Sequence, residues 1–296
     1  MIKTGTLDTL SEASVIRTFL DAFSDYATSF SAQQVSSIFK IRGFDPKMSF
    51  GAFDDGRLVA FVFNGIGSYN NVPSAYDSGT GTLPEYRGRG LVKDLLKFGE
   101  NHLKEYGIGQ YVLEVLCGNL PAIHIYENDG FIISRELVCF SQKKSDISIP
   151  HMNEIDGGIG IETAGPEILQ HIDKFIDYQP SWQNSVESMA RGGDDVLFFA
   201  ASVCGTPIGV AAINARQGDL MMLAVEKSYR GRGIGSRLLE CAIGSSVPDT
   251  VKILNVDSRC SSMLALLKSC NISETVRQYE MIKYIDPCFS QELGSK

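Results

Sequence analysis

Apolar residues fall into short runs with two different periods. Runs at 48–53 and 58–63 flank the turn signal Asp54-Asp55-Gly56, and runs at 196–203 and 208–213 flank Cys204-Gly205-Thr206-Pro207. Each pair predicts a β-hairpin. Leu91, Leu95, Leu96, Phe98 and Leu103 follow the spacing of an amphipathic helix, as do Ile234, Leu238, Leu239 and Ala242. An apolar strand follows each helix, at 111–116 and at 251–256. Both halves therefore read strand, helices, hairpin, strand, loop, helix, strand, helix, strand. Residues repeat with the pattern: Tyr86-Arg87-Gly88-Arg89-Gly90-Leu91 recurs as Tyr229-Arg230-Gly231-Arg232-Gly233-Ile234, 143 residues later (229 minus 86). The polar stretch 141–158, with Lys143-Lys144, Pro150 and Gly157-Gly158, predicts a linker near residue 148. The expected domains are 1–145 and 146–296.

The length of 296 residues fits two domains at roughly 150 residues each, and 44% apolar residues suffice for two cores. The net charge of -8 argues against a nucleic-acid partner, which needs clustered Lys and Arg, and is compatible with a cationic small molecule. No apolar run is long enough to cross a bilayer, and residues 1–9 lack the charged and apolar pattern of an export signal. Seven scattered cysteines without a CxxC pair, and four dispersed histidines, give no metal motif. These features predict a reduced, cytoplasmic protein with small buried or half-buried thiols and no membrane partner. Its oligomeric state is not legible.

The repeated loop carries the candidate chemistry. Arg-x-x-Gly-x-Gly between a strand and a helix removes side chains where backbone must approach a ligand, and it gathers N–H groups at a helix N-terminus, an arrangement that binds phosphate. Arg230, Gly231, Arg232, Gly233, Ile234 and Gly235 supply every element, and Ser236 adds a hydroxyl. Arg87, Gly88, Arg89, Gly90 and Leu91 form the first copy, where Val92 replaces the last glycine. Neither copy is a P-loop or a dinucleotide-binding turn. Downstream in the first half lies Asn119-Leu120-Pro121-Ala122-Ile123-His124-Ile125-Tyr126-Glu127-Asn128-Asp129-Gly130-Phe131.

With these two elements, both halves resemble GNAT-type acyltransferase domains. The resemblance implies two tandem α/β domains of α+β type, each a mixed, mostly antiparallel sheet flanked by helices. It implies acetyl-CoA as co-substrate, with its pyrophosphate on the two loops and its pantetheine arm beside the preceding strands, at Thr82 and Leu83 in one half and Leu223 and Val225 in the other. By the same resemblance Asn119 holds the pantetheine arm or its bordering helix, and Tyr126 protonates the departing thiolate; a core tyrosine is the competing reading of Tyr126. Val92 is expected to crowd the phosphate or shift the first loop.

In the second half Cys260, Met263, Leu267 and Asn271 stand opposite Asn119, Ala122, Tyr126 and Gly130, so the acid tyrosine is absent there. Catalysis is accordingly expected in the first half. Asp77, on a strand rich in small residues, and Glu114, within an apolar strand, are the candidate bases, each competing with a solvated or salt-bridged role. The expected activity is transfer of acetyl from acetyl-CoA to a primary amine of a small molecule or peptide. A non-catalytic acyl-CoA-binding or scaffolding protein is the alternative.

Overall fold

A computed structural model describes residues 1–25, 30–150, 158–286 and 288. His151 and residues 152–157 of the expected linker lie outside them. The elements run β1 (Lys3–Thr6), α1 (Glu12–Ala22), α2 (Ala32–Arg42), β2 (Phe50–Asp54), β3 (Arg57–Tyr69), β4 (Val72–Thr82), α3 (Leu91–Glu105), β5 (Gln110–Leu116), α4 (Leu120–Asn128) and β6 (Ile132–Lys143). They continue β7 (Ile159–Ala164), α5 (Val186–Gly192), β8 (Val196–Val203), β9 (Thr206–Asn214), β10 (Asp219–Val225), α6 (Ile234–Ser245), β11 (Thr250–Asp257), α7 (Ser261–Ser269) and β12 (Glu274–Tyr284).

The chain forms two compact units that do not follow its order: one joins Met1–Ser134 to the chain from Tyr279 onward, and the other is Arg135–Gln278. In the first, β1 to β4 pair antiparallel in sequence, β5 joins β4 in parallel, and residues 279–284 of β12 lie on the far side of β5. In the second the order is β7-β8-β9-β10-β11, with β10 and β11 parallel, and residues 135–143 of β6 antiparallel to β11. Each unit is thus the mixed, mostly antiparallel sheet with flanking helices that the resemblance implies, completed by a strand from the other half of the sequence. Ser141, Gln142 and Lys143, expected in the linker, pair with Lys252, Val251 and Thr250. Backbone pairing is indifferent to their polar side chains.

Local chemistry explains the elements. Both predicted hairpin turns place two consecutive residues at positive φ, Asp55-Gly56 (47°, 82°) and Cys204-Gly205 (48°, 77°), which matches the twist of the flanking strands. Ser31 and Gln34 form a reciprocal capping box at the start of α2. Leu91, Leu95, Leu96 and Leu103 bury one face of α3, and Gly99 lets that helix approach the ring of Phe50, which an added Cβ would meet at 2.4 Å. The helices expected before the second hairpin are short: Pro166–Lys174 is a 3₁₀ helix and α5 has seven residues. Pro166, Pro180 and Gly192-Gly193 punctuate that segment. All seven cysteines are free; Cys139, Cys260 and Cys270 are buried, whereas Cys204, in the second hairpin turn, and Cys288 are exposed, unlike the expected thiols. Among the described residues no helix is long and apolar enough to cross a membrane.

Candidate active site and coenzyme loops

The two loops have the same backbone. Gly88 and Gly90 have φ of 75° and 75°, Gly231 and Gly233 of 76° and 83°. Gly90 and Gly233 are the N-cap residues of α3 and α6, and no side chain caps either helix. The first N–H groups of both helices are therefore not taken by a capping side chain. Val92 does not shift the first loop as expected: its side chain packs against the first unit's core, so a branched residue is accommodated on the inner face of the helix.

The first arginine of each loop has a different task from the one expected. Arg87 donates to Thr82 O and Ala22 O and pairs with Asp25 at 2.5 Å. Arg230 repeats this with Val225 O, Phe175 O and Asp177 at 2.6 Å. Each guanidinium ties its loop to the preceding strand and to the segment after the first helix, and these contacts occupy it. Arg89 and Arg232 lie 4.7 and 5.2 Å over the rings of Tyr86 and Tyr229. Both segments read Phe-x-Asp-Tyr, at 23–26 and 175–178. Sequence reading missed Asp25 and Asp177; this second repeat was the available signal.

Next to each loop the sheet opens. β4 and β5 pair only at Ser74–Gln110, Ala75–Tyr111 and Tyr76–Val112, although β4 runs on to Thr82. β10 and β11 pair only at Asp219–Lys252 and Leu220–Ile253. Both opening strands carry a register shift at the divergence, between Asp77 and Gly79 and between Leu220 and Met222. Leu83 N–H bonds to Val59 O and Glu226 N–H to Ile208 O. Alternation along an antiparallel ladder then turns the N–H groups of Thr82, Leu223 and Val225 toward the opening. The N–H of Leu83, expected beside the pantetheine arm, is used within the sheet instead.

In the first unit the opening holds a buried polar cluster. The Tyr126 hydroxyl donates to Asp77 Oδ2 at 3.3 Å, and Asp77 also accepts from the Thr80 hydroxyl at 2.6 Å and Gly79 N–H at 2.9 Å. Burial raises the Asp77 carboxyl to about 6 against these hydrogen bonds. Burial and the Asp77 charge together push the Tyr126 phenol well above 10. Glu114 lies apart from this pair and accepts a hydrogen bond from the Tyr76 hydroxyl. Arg42, which sequence reading did not single out, donates to the carbonyl of Ser78, the extra residue at the register shift. Asn119 caps α4, accepting from Ala122 N–H at 3.4 Å.

The second unit keeps the backbone of this arrangement without its acid. Cys260 is the N-cap of α7 as Asn119 is of α4, and Asn271 (φ 57°) and Gly130 (φ 93°) are both left-handed. Leu267 is fully buried in Tyr126's place. A cavity of about 420 Å³ occupies this opening, lined by Leu223, Val225, the loop residues Arg230, Gly231 and Gly233 to Ser236, and Asn255, Cys260 and Tyr178.

Comparison with known proteins agrees with this geometry. The acetyltransferase (GNAT) family matches residues 16–131, and an acetyltransferase (GNAT) domain matches residues 194–261. The chain belongs to the GNAT acetyltransferase family, and it carries two such domains in tandem. It is 35% identical over 88 residues to a mycothiol acetyltransferase of Streptomyces griseus, 30% of this chain and 28% of that protein, and 36% identical over 62 residues to one of Corynebacterium glutamicum, 21% of each. The similarity thus spans less than a third of these relatives. In fold it resembles a GCN5-related N-acetyltransferase from Sphaerobacter thermophilus (TM-score 0.71, 16% identity, 97% of this chain and 96% of that one). It also resembles a tandem GNAT protein from the clavulanic acid biosynthesis pathway (TM-score 0.70, 13% identity, 97% and 99%).

Proposed function

We propose that the protein is an acetyl-CoA-dependent N-acetyltransferase that acts on a primary amine of a small molecule or peptide, with catalysis in the first unit. The observation that carries this reading is the buried Tyr126–Asp77 pair at the divergence of β4 and β5, beside an undistorted loop. Amine acylation by a thioester needs a neutral amine, a polarised carbonyl and a proton for the thiolate. Asp77, ionised above pH 6, takes the proton from the ammonium. The N–H of Thr82 donates to the thioester oxygen as charge develops there. Tyr126, kept protonated by its surroundings, gives its proton to sulfur and is reprotonated through its hydrogen bond to Asp77. Gly88 to Val92 and Gly231 to Ser236 supply the backbone N–H groups for a pyrophosphate, with Arg89 and Arg232 beside them. Arg87 and Arg230 brace these loops. Asn119 fixes the start of α4, and Glu114 orients Tyr76.

The partial likeness to mycothiol acetyltransferases supports acetyl as the group transferred. A protein that only binds acyl-CoA has no need of an acid at Tyr126. Substituting Tyr126 by Phe keeps the ring's packing and removes only the proton. The turnover is expected to fall with an unchanged coenzyme affinity, and equal activity in the variant would remove Tyr126 from the mechanism.

A further inference from the structure

The second unit has a coenzyme loop and a cavity, but at Leu267 it has no proton to give. Its cavity contains another phenol. Tyr178 lines the same space as Leu223, Val225 and the loop, and its hydroxyl bonds to no other described residue. The ring packs on the second unit's core beside the Cys260 thiol. Its segment is fixed on both sides: Asp177 is bound by Arg230, and the Gln179 carbonyl accepts from Arg135 at 2.6 Å, whose guanidinium also meets Asp257 at 3.3 Å. The charged and titratable groups facing Tyr178 are Cys260, Arg135, Asp257 and Asp177; burial, the first influence, pushes its phenol above 10 and keeps it protonated at neutral pH.

We propose that the second unit is a second acetyl-transfer site in which Tyr178, not a residue of α7, is the general acid. The proposal rests on loop 230–236 as a coenzyme site and not on catalysis in the first unit. The amine nitrogen bonds to the thioester carbonyl carbon, the carbon–sulfur bond breaks with its electron pair on sulfur, Tyr178 protonates the thiolate, and solvent takes the ammonium proton and restores the phenol. The N–H groups of Leu223 and Val225, two residues apart on the strand edge, line the thioester and the arm that carries it.

The chemistry of the cavity also selects the acceptor. Asp177 is the carboxylate that lines it among the described residues. Burial alone would raise this group, but Arg230, the Ser262 hydroxyl and Lys227 outweigh it and hold the carboxyl below its ordinary value. It is a poor base. The site therefore suits amines already neutral in solution. An α-amino group, with a pKa of about 8, is about one-quarter neutral at pH 7.5, whereas an alkylamine near 10.4 is neutral in about one molecule per thousand. The substrate class of this site is an α-amino compound.

The test follows thiol release from acetyl-CoA with glycinamide and with n-butylamine, in the full chain carrying Tyr126→Phe. Residual turnover favouring glycinamide is expected, and adding Tyr178→Phe should lower it by about 100- to 10,000-fold with acetyl-CoA affinity within about twofold. Unchanged turnover in the double variant, or no residual turnover in Tyr126→Phe, would overturn the proposal. Gly233→Val separates the two readings: if it leaves coenzyme affinity unchanged, the loop reading fails, whereas retained binding with no effect of Tyr178→Phe sinks the acid alone.

Discussion

Replacing one loop glycine by alanine should weaken coenzyme binding by a calculable amount. Gly90 and Gly233 sit at φ of 75° and 83°, and no atom lies within 4 Å of a Cβ added at Gly90. The perturbation is therefore backbone strain without a clash, about 1–2 kcal/mol for an L-residue in the left-handed region. Gly90 is exposed, so in the free protein the loop can leave that conformation more cheaply than the fold can unfold. Binding must then restore it. The expected loss is about 5- to 30-fold in affinity at the altered site, read by titration calorimetry with acetyl-CoA as one weakened site beside one unchanged site. The melting temperature should barely move. An unchanged affinity with a lowered melting temperature would show that the loop is locked without coenzyme, and unchanged values of both would refute the strain reasoning itself.

Three further outcomes are expected. Tyr126→Phe should lower the chemical step in the first unit by about 100- to 10,000-fold at constant dissociation constant, measured by single-turnover kinetics under conditions where that unit dominates. Asp77 rises from 3.8 unfolded to about 6 folded, so the folded state holds its proton more tightly; stability should be fullest below pH 4 and fall by about 3 kcal/mol as pH rises through 6. Urea unfolding at pH 4.5 and 7, between which about 2 kcal/mol of that fall lies, checks this, and Asp77→Asn should flatten the fall. A fragment of residues 1–145 lacks the strand 279–284 and Lys283, which pairs with Glu100 at 2.8 Å and Asp129 at 3.0 Å; it should show no cooperative unfolding by circular dichroism, and a sharp transition would contradict the strand exchange.

The repeat at Tyr86 and Tyr229 made the fold legible, because turn glycines and helix-face leucines are local signals that survive in one dimension. The exchange of β6 and β12 was not legible, since apolar strands carry no label of the sheet that receives them. In the site, Tyr126 and Asp77 were both readable as chemistry-bearing residues, but their hydrogen bond joins helix α4 to strand β4 across 49 residues and depends on tertiary packing. The loop arginines misled for a physical reason. A guanidinium suits a phosphate and a carboxylate equally well, and only the fold brings Asp25 and Asp177 within reach. Val92 misled because the pattern does not say which way a helix's first turn faces.

The central claim is that this chain moves an acetyl group to an amine, and the most direct test is release of free coenzyme thiol from acetyl-CoA with a panel of primary amines, against water as the control. Thiol release that depends on an amine, produces the acetylated amine in equal amount and falls in Tyr126→Phe is the predicted result. Acetyl-CoA binding in the calorimeter with no amine-dependent thiol release for any member of the panel would contradict the account and leave a coenzyme-binding protein in its place.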